Sequence, residues 1–168
     1  MNDLKSLLAP PLAPQFRLRG DIQIELWRPG AERPLRRYAI RNQITYSGYN
    51  SPLYLWTQDV GVPTDWQMAK LVPGTNGTPP TIGDVALGSP LGPTDEIVLA
   101  APNRTVVPAS GELIITGTLT TLQANGQNLR EVGLFLGNGQ LFARQVYPTI
   151  SKTGAITVTY TWRIAVTA

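Results

Sequence analysis

From residue 156 to the end of the chain the side chains alternate. Ile156, Val158, Tyr160, Trp162, Ile164 and Val166 fall on one side; Thr157, Thr159, Thr161, Arg163 and Thr167 fall on the other. A period of two places successive side chains on opposite faces of a strand, whereas a helix needs a period of 3.6. β-Branched and aromatic residues suit a pleated, half-buried surface. The segment therefore reads as a long strand with one dry face, and such a strand needs partners. The same period runs from Phe16 to Leu26, with apolar residues or Gly at even positions and polar residues at odd ones.

Shorter strand-like runs lie near 35–46, 96–100, 112–120, 129–136 and 141–147, and Glu112–Thr116 is apolar enough to be covered on both faces. No segment carries a helical stripe; residues 52–60 and 64–72 are expected to hold a short turn at most. The pattern is all-β, with no internal repeat. Two stretches stand apart. Residues 1–15 set Leu4, Leu7, Leu8 and Leu12 among Pro10, Pro11 and Pro14, which exclude a continuing helix or a central strand. This segment is either a disordered terminus or an extended arm docked on a neighbouring subunit. Residues 73–93 hold five prolines and five glycines and read as one long loop. The remainder, 16–168, suits a single domain.

Asn138-Gly139 sits between two strand-like runs and marks a hairpin. A two-residue turn there pairs Leu136 with Leu141, Phe135 with Phe142, Leu134 with Ala143 and Glu131 with Val146. Leu134, Leu136 and Leu141 then share a core face. Phe135 and Phe142 share the other, with Glu131 diagonal to Arg144 and in reach of an ion pair. That second face needs a cover, either another sheet or another subunit.

The chemistry available is narrow. The 168 residues include no cysteine and no histidine, which removes disulfides, thiolate or imidazole metal sites and every His-based acid–base mechanism. No dinucleotide or phosphate-binding glycine motif is present. Asp84, Asp95 and Glu96 are too dispersed for a calcium site, and Glu112 with Glu131 is the one carboxylate pair left for glycoside chemistry. Glu131 already has Arg144 as a partner, so no catalytic residue, cofactor or metal is assigned. Net charge is +3, concentrated before residue 42, where eight basic residues face four acidic ones. The densest cluster, Arg33, Arg36, Arg37 and Arg41, reads as a solvated face or a contact with an acidic partner rather than a nucleic-acid site. Trp27, Tyr49, Tyr54, Trp56 and Trp66 suit interfaces or sugar stacking. No apolar run approaches the ~20 residues of a membrane helix, and the opening residues, with Asp3, Lys5 and three prolines, read as neither secretory signal nor anchor.

Several motifs together resemble a group of small virion structural proteins of tailed bacteriophages. They are Glu131-Val-Gly-Leu-Phe135, Leu141-Phe-Ala-Arg144, Ile150-Ser-Lys152, the alternating strand from Ile156 to Trp162, and Gly83-Asp-Val-Ala-Leu87. The chain departs from the group at Ser89-Pro90-Leu91, where a glutamate usually follows the leucine. The resemblance implies a jelly-roll-like antiparallel β-sandwich that assembles on the virion. Members decorate capsids as cement proteins, often as homotrimers, and others sit in tails or baseplates. The expected partners are further copies of the chain and the major capsid protein. Leu4, Leu7, Leu8 and Leu12 are the arm contacts, and Glu131, Phe135, Phe142 and Arg144 pack between sheets or protomers. A tail or baseplate protein and a carbohydrate-binding attachment module are the alternatives.

Overall fold

The structure is a computed structural model that describes residues 17–57 and 63–167, the side chains of 53–57, 63, 64 and 167 excepted. The arm leucines Leu4, Leu7, Leu8 and Leu12 lie outside the described residues, as do the side chains of Tyr54 and Trp56. The strands are β1 (Arg17–Trp27), β2 (Arg36–Arg41), β3 (Gln43–Ile44), β4 (Met68–Gly74), β5 (Ile97–Val98), β6 (Arg104–Val107), β7 (Glu112–Leu119), β8 (Asn128–Leu136), β9 (Leu141–Ser151) and β10 (Thr157–Thr167). They form two five-stranded antiparallel sheets, ordered β2-β1-β10-β7-β6 and β3-β9-β8-β4-β5. The sheets pack face to face as an all-β sandwich.

The alternation of β10 explains its place. It pairs with β1 along one edge and β7 along the other. Its inward residues Val158, Tyr160 and Trp162 are fully buried. They meet Leu71, Val132, Leu134 and Phe142 from the second sheet in one core. On the outer face Thr159 and Thr118 join hydroxyls at 2.9 Å.

Five expectations are corrected. Residues 35–46 are not one strand: the chain leaves the first sheet after Arg41 and enters the second at Gln43, with the Asn42 amide bonded to the Gly20 carbonyl at 3.0 Å. A helix, α1 (Tyr46–Thr57), follows where no more than a turn was expected. Its Gly, Asn, Ser and Pro hide any helical signature. Tertiary contacts start it: the Thr45 hydroxyl accepts from the Gly48 amide, and the Thr45 amide donates to the Phe142 carbonyl on β9 at 3.0 Å. Residues 64–72 hold most of β4, whose alternation is blurred because both of its faces are covered, Leu71 by the core and Val72 by a loop. β4 also runs into Pro73 and Gly74, so the irregular stretch is shorter than 73–93.

The hairpin is the fifth correction. The Leu136 amide donates to the Gln140 carbonyl at 2.9 Å and the Gly139 amide to the Leu136 carbonyl at 3.0 Å, so the loop has three residues rather than two. Gly139, at φ 83°, takes the left-handed position such a loop requires. The one-residue slip is absorbed as a bulge: Phe135 pairs with Leu141, while Leu134 still pairs with Ala143 and Glu131 with Val146. Phe142 is the extra residue. Phe135 and Phe142 therefore do not face each other. Phe142 enters the main core, and Leu141 turns outward to join Phe135.

Candidate functional site

The outer face of the second sheet is covered by a loop rather than by a third sheet. The chain's own loop between β4 and β5 lies across it. β8 and β4 bring Glu131 and Gly74, Gly133 and Val72, and Phe135 and Lys70 into opposed pairs. On this floor Leu87 packs with Val72, Leu141 and Phe135 as a small second core. Leu87 sits directly over Gly133, where a Cβ would come within 2.8 Å of its methyl.

Charged groups lock the loop in place. Glu131, fully buried, accepts from the amides of Ser89 at 2.7 Å, Gly88 at 3.2 Å and Asn76 at 3.3 Å, and from Arg144 Nε at 2.8 Å. Four donors fill the roughly four acceptor positions of a carboxylate. Arg144 sends Nη1 to Asp84 at 2.8 Å and Nη2 to the Thr78 carbonyl at 3.1 Å. Asp84 also accepts from the Thr81 hydroxyl and amide at 2.7 and 3.1 Å. Burial works against the charge on Asp84, but the hydrogen bonds from Thr81 and Arg144 outweigh it and hold the carboxyl below its usual range. For Arg144 burial is likewise outweighed by Asp84 and Glu131, which raise its pKa. Beneath the lock, the Tyr147 hydroxyl donates to the Glu131 carbonyl at 3.1 Å. Tyr147 has a single hydroxyl hydrogen, so Tyr160, 3.0 Å away, is the donor between the two phenols.

Chemically this arrangement is a clamp. With its charge and acceptor positions committed to the loop, it fixes the backbone of residues 76–89 on a rigid sheet. What the loop then presents is apolar: Val85 is 81% exposed and Ile82 39%, and the Ile82 carbonyl accepts from the Tyr46 amide at the start of α1, leaving Tyr46 61% exposed.

Of the residues singled out by sequence, Glu131 and Arg144 meet as an ion pair, Phe135 lines the floor of the loop, and Phe142 belongs to the interior. The four arginines do not form one patch. β2 alternation splits them: Arg37 pairs with Glu25 at 2.6 Å on the outer face, whereas Arg36 bonds the Tyr38 hydroxyl at 3.1 Å. Arg33 and Arg41 are exposed. Glu112 and Glu131 lie in opposite sheets, each with its own arginine. Asp95 caps the Ala124 amide and Glu96 pairs with Lys70. Trp66 is buried, Trp27 half-buried, and Tyr49 partly exposed with its hydroxyl on the Leu18 carbonyl.

Sequence reasoning missed Asp84 as Arg144's second partner and Asn76 as a loop anchor. The available signal was the coincidence of two short motifs. Gly83-Asp-Val-Ala-Leu87 supplies the acid and the leucine; Glu131-Val-Gly133 and Arg144 supply the amide acceptor, the vacancy for the leucine and the cation. No group of three or more potential metal ligands and no helix long and apolar enough to cross a membrane occurs among the described residues. No family model matches the chain, and neither does any curated protein or solved structure.

Proposed function

We propose that the protein is a bacteriophage capsid decoration (cement) protein that oligomerises on the capsid surface and stabilises contacts between major capsid subunits. The observation that carries this reading is the clamp. A buried Glu131–Arg144–Asp84 network fixes a long loop whose tip is apolar and exposed, which is the economy of a docking element. A loop ordered beforehand loses little entropy on binding, and an exposed apolar tip is stabilised by a partner's surface. Three of the motifs that resemble phage virion proteins, Gly83–Leu87, Glu131–Phe135 and Leu141–Arg144, supply the clamp's own residues, and this part of the likeness supports the reading.

The test uses particles of the encoding phage assembled without this chain. Purified protein is added to tail-less heads and, separately, to isolated tails. Saturable binding to heads, with a rise in the temperature at which they release DNA, is expected. Binding confined to tails would transfer the protein to a tail or baseplate, and binding to neither would end the virion reading.

A further inference from the structure

At the end of the sandwich where β1 starts and β10 finishes, the sheets part to leave a cleft of about 530 Å³. Leu18, Pro52, Met68, Val106, Leu113 and Val166 contribute apolar walls. Val106 is 68% exposed and Val166 48%. The charged residues at the rim are occupied: Arg104 bonds Gln67 and the Met68 carbonyl, and Glu112 lies 3.9 Å from Arg163. A partner for this cleft must therefore be apolar and bring few unsatisfied backbone donors.

We propose that the cleft receives the Leu4–Leu12 segment of a second copy of this chain. The inference rests on the assembly reading above and names its self-contact. Three observations support it. The sixteen residues preceding Arg17 carry four leucines, and Pro10, Pro11 and Pro14 have no N–H to leave unpaired in an apolar site. The described chain begins one residue before Leu18, itself a cleft residue. A chain spans at most about 3.6 Å per residue, so the fourteen residues from Leu4 to Leu18 can reach up to about 50 Å, far enough for a neighbour's cleft.

Complementary variants test the exchange. Deleting residues 1–14 removes the arm and keeps the cleft; the double substitution Val106→Lys with Val166→Lys blocks the cleft and keeps the arm. Both valines are exposed, so the fold is retained, which circular dichroism checks. Light scattering is expected to give an oligomer for the full chain and single protomers for each variant, with self-affinity falling about 100-fold. An equal mixture of the two variants is expected to form a two-chain species, because one supplies the arm and the other the cleft. A single-protomer full chain, an undiminished oligomer after deletion, or a mixture that fails to associate overturns the proposal; the last, with a lowered melting temperature for the deletion alone, assigns the cleft to the chain's own arm. A single protomer that still binds heads defeats the exchange and leaves decoration standing, whereas an exchanged oligomer that binds no particle does the reverse.

Discussion

Glu131 shows how one side chain organises a loop. Its carboxylate is buried and four donors converge on it, so the cost of desolvation is offset only while all of them remain. Glu131→Gln keeps the shape but removes the charge and turns an acceptor edge into a donor edge facing amides. We expect a loss of about 3–5 kcal/mol in urea unfolding, with faster hydrogen exchange at the Gly88 and Ser89 amides. A loss below about 1 kcal/mol would mean that the clamp does not hold the loop. Asp84 gives the pH dependence. Its carboxyl is held below the usual range, so the stability it contributes is complete above the unfolded value of about 3.9 and is lost as pH falls through the lower folded value. Asp84→Asn should therefore be less stable than the parent at pH 7, and the gap should close in strong acid. A gap that stays constant with pH would show that the ionised form is not what matters.

At the scale of elements, the loop between β4 and β5 depends on close approach to the sheet. A Cβ at Gly74 would come within 2.5 Å of the Ser89 carbonyl and 2.7 Å of Glu131 Oε1, whereas one at Gly92 would meet nothing within 4 Å. Gly74→Ala is expected to lower stability by about 2–3 kcal/mol through overpacking. Gly92→Ala, at φ −67°, should be neutral or stabilising by up to about 1 kcal/mol. Thermal unfolding of the pair checks this, and equal effects would contradict the packing of the loop. The strands themselves were legible wherever one face is dry and the other wet, as in β1 and β10, because burial then writes a period of two into the residues. β4 is covered on both sides and β6 is a short edge, so neither carries that signature. α1 was illegible for a different reason: its residues are poor helix formers, and its start is set by Thr45 bonding to β9. The hairpin register was legible as far as Leu134 opposite Ala143. It failed beyond because dipeptide chemistry does not show whether Gly137 belongs to the strand or to the turn.

For the whole molecule, the question is where surface remains for a partner. The outermost strands of the second sheet, β3 and β5, have two residues each and offer little backbone for edge pairing. The outer face of the first sheet is crossed by Arg19–Asp21, Arg37–Glu25 and Arg163–Glu112 ion pairs, and that of the second is roofed by the clamped loop. Sequence alone could place Glu131 beside Arg144, since strand register does so. It could not place Asp84, 60 residues from Arg144 in sequence, because no periodicity links a loop to the strand it lands on. The same topology leaves Ile82, Val85 and Tyr46 as an apolar tip, while several of the cations that gave the sequence its basic bias are already paired within the fold. Contact with a particle through the tip should therefore be insensitive to salt. Raising ionic strength from about 0.1 to about 1 M shortens screening from about 10 to about 3 Å, yet occupancy on heads should change less than about twofold, because apolar burial is not screened. Val85→Asp should weaken binding by about tenfold or more, whereas Arg33→Ala with Arg41→Ala should leave it nearly unchanged. Occupancy that collapses in salt and survives Val85→Asp would move the contact from the loop tip to the arginines of the β2 edge.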